Sequence, residues 1–170
     1  RQMCIRDRAN DVLARYPLSR FGGSAQLAWS TAVTDASWSC RTIAGAQSMS
    51  ANARVYSYEF ADDTAPNTSG APNTPAMSLG ATHATDLPYL FDLLGKKLVT
   101  SPEQEKLADT MIDYWASFAR DGVPSARVAI AWPATSPTSA PVLSFADGSA
   151  RLTDYSADHE CSFWQGIALR

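Results

Sequence analysis

Gly80-Ala81-Thr82-His83-Ala84-Thr85-Asp86-Leu87-Pro88-Tyr89-Leu90-Phe91 holds one of only two histidines in a chain of 170 residues. Small neighbours leave the imidazole open to approach, and a carboxylate follows three positions later. An apolar run from Leu87 to Leu94, broken only by Pro88 and Asp92, offers a wall to pack against. Alone the pattern is weak, because a histidine in a loop is most often a solvated or hydrogen-bonded structural residue. Its surroundings must decide.

Upstream, residues 61–79 carry Pro66, Pro72, Pro75, Gly70 and repeated Asn-Thr pairs without a periodic apolar face, which predicts a loop. Within it Asn67-Thr68-Ser69 fits the glycosylation pattern, a match that is common by accident. Ahead of the loop, Ala53 to Phe60 alternates Val55, Ser57 and Glu59 with Tyr56, Tyr58 and Phe60 and reads as a strand. Earlier still the spacing is helical. Val12, Leu13 and Tyr16 share a face that Pro17 ends, and Ser24 can cap a helix carrying Leu27, Ala28, Thr31 and Ala32. Trp38, Cys40, Ile43 and Ala44 predict a further helix from Asp35 to about Met49.

Downstream, Asp86 to Leu94 reads as a short helix. The strongest helix signal follows: Ser101 as N-cap, Pro102 at the first helical position, and Gln104 completing a capping box. Leu107, Met111, Tyr114, Trp115 and Phe118 form its apolar stripe, and Gly122 ends it. Trp132-Pro133 opens a loop rich in Pro, Ser and Thr. Val142–Phe145 and Arg151–Thr153 predict two short strands around Asp147-Gly148, and Cys161 starts a final helix through Leu169. No internal repeat is visible.

The length suits one domain or a piece of one, and 45% hydrophobic with 18% charged residues is a globular composition. A formal charge of −3 with no Lys/Arg stripe argues against a nucleic-acid partner. No apolar run approaches the ~20 residues a membrane helix needs. The start has no signal-peptide core, but Met3-Cys4-Ile5-Arg6-Asp7-Arg8 looks like a translated sequencing adapter. Residues 1–8 are therefore read as non-native and 9–170 as the protein proper, so the missing leader says nothing about export. Two histidines and two remaining cysteines, scattered in sequence, give no metal-ligand spacing, and there is no Gly-rich phosphate loop. No cofactor or metal is expected. His159-Glu160 reads as the flank of Cys161. Cys40 and Cys161 are either two buried thiols or a disulfide, and the residues alone leave both open. In the chain-entropy picture, a bond closing so long a loop would stabilise by about 4–5 kcal/mol.

Five segments in order resemble the C-terminal third of a type B carboxylesterase, the serine esterases on the α/β-hydrolase fold that include para-nitrobenzyl esterases and cholinesterases. Thr34-Asp35-Ala36-Ser37-Trp38-Ser39-Cys40 is similar to the segment carrying the first cysteine of that family's last disulfide. Val55–Phe60 resembles the strand before its histidine loop, and Gly80–Phe91 the loop itself. Trp115, Phe118, Ala119, Gly122, Pro124, Trp132 and Pro133 resemble its "W-x-x-F-A-x-x-G-x-P … W-P" segment. Cys161-Ser162-Phe163-Trp164 resembles its "C-x-F-W".

The resemblance implies an α/β fold, the last sheet strands of an α/β-hydrolase with packed helices, in which residues 9–170 are the C-terminal part of one domain. It implies that His83 is the base that deprotonates a nucleophilic serine and later protonates the leaving alcohol, a pair of steps suited to an imidazole. Asp86 then matches an acidic residue that supports the serine's surroundings without being the triad acid. Aspartate for the commoner glutamate shortens its reach by a methylene, and the plain alternative is a helix-start carboxylate favoured by the dipole. Cys40 and Cys161 match the family disulfide, which points to a secreted or periplasmic location. The substrate implied is a small-molecule ester, with no nucleic acid and no membrane span. No G-x-S-x-G occurs, so the nucleophile and the Glu or Asp of the triad are expected upstream and the fragment alone is expected to be inactive. Asp35 matches the cysteine segment, not that acid. Tyr16 and Phe21 fit either a substrate pocket or plain core. The alternatives are a non-catalytic cholinesterase-like recognition module and a free-standing binding domain. The latter would have to cap faces that this chain is expected to expose along Val55–Phe60 and its helices.

Overall fold

Caps and prolines set the first elements of the computed structural model, which describes residues 8–71, 79–93, 95–127 and 129–168. Helix α1 (Ala9–Arg15) stops before Pro17, and a 3-10 turn (Leu18–Phe21) closes on left-handed Gly22. The Ser24 hydroxyl accepts the Leu27 N–H at 3.2 Å and starts α2 (Ala25–Thr34). No break follows at Asp35, because the backbone there stays right-handed helical. Instead one wide π turn (Asp35–Ser39) leads into α3 (Cys40–Met49). Such a bulge rotates the side chains beyond it. Here it accompanies two polar residues turned inward, Asp35 and Ser39, both buried.

Strand β1 (Ser57–Phe60) is shorter than its alternation predicts. Its parallel partner β2 (Val142–Ala146) begins opposite Ser57, so residues 53–56 have no ladder to join. Loop groups take up that stretch: the Thr135 N–H donates to the Val55 carbonyl at 2.8 Å and the Trp132 indole to the Ser57 carbonyl at 3.1 Å. β2 is central, buried throughout, and antiparallel to β3 (Ser149–Thr153). The hairpin turns on Asp147 (φ 49°) and Gly148 (φ 66°), the two positive φ values of a type I′ turn. A side chain at Gly148 would also press on Glu103, whose carbonyl lies 3.2 Å from an added Cβ.

Between β1 and β2 run α4 (Leu87–Leu90) and α5 (Pro102–Asp121). The helix expected over 86–94 is a single turn, since Phe91 is already extended; Leu94 lies outside the described residues, as do residues 1–7, Pro72, Pro75 and Leu169. In α5, Ser101 accepts the Gln104 N–H at 3.1 Å. Gln104 does not complete the box on Ser101; its amide nitrogen instead donates to the Thr64 carbonyl at 2.8 Å, pinning the loop after β1. Leu107, Met111 and Tyr114 are fully buried against β2, with Leu143 and Phe145. Phe118, expected in the same buried stripe, is 47% exposed: it lies in the last turn and a half of α5, at the rim of an aromatic cleft, with its ring edge-on to Tyr56. A second core gathers Tyr16, Ala32, Cys40, Cys161 and Trp164 where α1, α2, α3 and α7 (Cys161–Ala168) meet. The short α6 (Tyr155–Asp158) is capped by Asp154 and leads into α7. Among the described residues no helix is long and apolar enough to cross a membrane.

Candidate functional site

The chain leaves β1 at Phe60 and is pinned at once. Asp62, buried, accepts the Thr64 N–H at 2.9 Å, the Thr64 hydroxyl at 2.7 Å and the Tyr89 hydroxyl at 2.7 Å. A buried carboxylate needs such donors, since leaving one of its oxygens unmet costs about 1–3 kcal/mol or more. Burial, then the bond to Asp62, pushes the Tyr89 hydroxyl far above the usual phenol range. Its ring also packs edge-on against Phe60 at 4.9 Å. The Tyr89 end of the histidine loop is thereby tied to the end of β1.

Ahead of this anchor the backbone turns twice. Thr82 N–H donates to Gly80 (3.0 Å), and Thr85 N–H and hydroxyl both donate to the Thr82 carbonyl (3.2 and 2.7 Å). Gly80 (φ 57°) and Ala84 (φ 67°) are left-handed. For alanine that conformation costs about 1 kcal/mol or more, strain that the turns around it must hold. Thr85 is buried while His83 projects outward, exposed, its ring without a hydrogen bond to any described residue. Asp86 accepts from the Tyr58 hydroxyl at 3.3 Å, and Tyr58 is shifted up by burial and by that charge. Beside this strand lies an aromatic cleft of about 170 Å³ lined by Tyr56, Tyr58, Trp115, Phe118 and Trp132.

The other histidine is held in the opposite way. His159 Nδ1 lies 2.6 Å from Asp35 and Nε2 lies 2.8 Å from Glu59. A neutral imidazole has one N–H, yet two carboxylate oxygens flank this ring, so both nitrogens can donate at once only in the imidazolium form. Burial alone would lower its pKa, but the bonds to Asp35 and Glu59 and their charges outweigh that and raise it to about 9. Asp35, fully buried, also accepts the Tyr16 hydroxyl at 2.9 Å, and the Trp164 indole donates to Tyr16 at 2.7 Å. Burial pushes the Tyr16 hydroxyl up strongly, with Trp164 opposing and Asp35 adding to the rise. Cys40 and Cys161 are joined beside this network, with Cα atoms 5.2 Å apart.

His83 and Asp86 thus share one loop, with Asp86 bonded to Tyr58 and not to His83. Tyr16 and Phe21 pack with each other and with Trp164 in the second core. By sequence His159 is the flank of Cys161, Glu59 a strand position and Asp35 part of the cysteine segment, with nothing to join them. Separations of 124 and 100 residues leave no local signal for them, and only the position of His159 beside Cys161 hinted at burial. Among the described residues, no group of three or more His, Cys, Asp or Glu side chains could hold a metal.

A family model described as "Carboxylesterase family" matches residues 5–164. The human cocaine esterase is 34% identical over 83 residues, 48% of this chain and 14% of that protein. The mouse acylcarnitine hydrolase is 34% identical over 84 residues, again 48% of this chain and 14% of its own length. Among solved structures, a thermophilic PNB esterase superposes with TM-score 0.60 at 24% identity, over 89% of this chain and 29% of that one. A carboxylesterase of Geobacillus stearothermophilus gives 0.50 at 30% identity, over 71% of this chain and 24% of its own. The chain therefore spans less than a third of each of these relatives.

Proposed function

The chain belongs to the carboxylesterase family, with an α/β-hydrolase fold, and from that membership we propose that it is part of an enzyme that hydrolyses small-molecule carboxylic esters. His83 is the general base and acid. The observation that carries the reading is the loop itself: two turns ahead of the anchored Tyr89 present an imidazole with neither nitrogen engaged by a described residue. An imidazole so placed can take a proton from a serine hydroxyl and return it to a departing alkoxide. The nucleophile on its strand-to-helix elbow, the oxyanion donors and the acid that orients His83 come from sequence outside these residues. Asp86, tied to Tyr58, braces the loop and does not reach the ring. Cys40–Cys161 supports a location outside the cytoplasm, where disulfides persist.

The test is His83→Ala in the full-length protein, with turnover of a chromogenic ester as the readout. Turnover is expected to drop about 10³-fold or more while the fold is retained. Near-normal turnover would sink the assignment. A glycine or alanine where the full gene should encode the elbow serine would favour a non-catalytic recognition module instead.

A further inference from the structure

Adjacent residues of β1 reach in opposite directions, as the pleat requires. Tyr58 donates to Asp86 in the histidine loop, and Glu59 accepts from His159. Behind His159 stands a unit that cannot drift apart. Asp35 receives Tyr16, Tyr16 receives Trp164, and the Cys40–Cys161 bond joins the helix after Asp35 to the helix after His159.

We propose that His159 is a positioning residue that acts through Glu59: as an imidazolium between Asp35 and Glu59 it fixes β1 against the disulfide-linked helices, and β1 in turn sets the Tyr58–Asp86 contact and the seat of the His83 loop. The inference rests on the reading of His83 as the base. The ionisable groups around the ring are Asp35 from the π turn, Glu59 from β1 and Tyr155 from α6, whose ring lies 4.1 Å away. Its chain neighbour Glu160 is neutralised from outside by Arg15 at 2.9 Å and Arg20 at 3.5 Å. Among the described residues no lysine or arginine pairs with Asp35 or Glu59, so loss of the ring proton leaves two facing carboxylates with one N–H between them. The grip on β1 then fails from the Glu59 or the Asp35 side. The raised pKa, about 9, puts that event on the alkaline side of the working range.

His159→Gln in the full-length protein keeps a hydrogen-bond donor and removes the charge. The expected result is a kcat lower by roughly tenfold to a hundredfold, as a displacement of about 1 Å at a catalytic group produces, with KM little changed. In the unaltered protein kcat falls as pH rises through about 9, and this alkaline limb is absent from both His159→Gln and Glu59→Gln. If His159→Gln does not fold, Glu59→Gln and the ¹⁵N shifts of the His159 ring in the unaltered protein carry the test. A ring that is neutral at pH 7 overturns the proposal. So does a variant that melts earlier but keeps wild-type kcat and the alkaline limb. Failure of the base reading looks different: His83→Ala would turn over normally, whereas the His159 titration would be unchanged.

Discussion

The two histidines differ in what is asked of an imidazole. His83 stands on a loop anchored through Tyr89, exposed, its ring committed to no described residue. His159 sits between two carboxylates with both nitrogens engaged, inside a core closed by Cys40–Cys161. The first is open to a reacting partner; in the second, burial is outweighed by the bonds and charges of Asp35 and Glu59, which favour the protonated ring. A residue type does not carry a role. What decides is whether neighbouring groups engage both ring nitrogens or leave them open.

That contrast can be broken at several points. Reducing or deleting the Cys40–Cys161 bond should have the largest effect on stability, roughly 4–5 kcal/mol in the chain-entropy picture, for a closed loop set by a separation of 121 residues. Urea unfolding of Cys40→Ala/Cys161→Ala checks it, and the loss should fall on the His159 side.

Next comes pH. A histidine whose folded pKa lies above its unfolded value stabilises fully below about 6.5, and that contribution disappears as pH rises through about 9. Carried over that window, the shift is on the order of 3 kcal/mol. Unfolding free energies measured from pH 6 to pH 10 should therefore decline, and the decline should be missing in His159→Gln. A matching slope in that variant would assign the effect to other groups.

Tyr89→Phe probes the other histidine's support. It removes one of three donors from buried Asp62 and should cost about 1–3 kcal/mol, read by thermal melting, with the His159 titration unmoved. The smallest effect is expected from Ala84→Gly. Relief of the left-handed alanine (φ 67°) should gain about 1 kcal/mol, offset in part by the entropy of glycine. Turnover measured alongside would show whether that strain helps to hold His83 in place.

Several elements were legible because their signals are local. Ser24 and Ser101 cap the helices their spacing suggested, and Asp147-Gly148 closes the hairpin with the backbone signs its residues favour. The strand at 53–60 was half right. Alternation marks residues able to join a ladder, but only the arrival of β2 opposite Ser57 determines where pairing begins. Phe118 illustrates the same limit, since a helical stripe names an apolar face without saying how much sheet will cover it.

From sequence alone came the family's fold, the helix caps, and the loop that presents His83, all written in patterns a few residues long. Tertiary structure alone decided that His159, by sequence a mere flank of a cysteine, is held between two carboxylates 124 and 100 positions away. The reason is physical. Caps, turns and periodicity act through neighbours along the chain, whereas a proton's affinity for a buried ring depends on charges that reach it only when distant segments pack together.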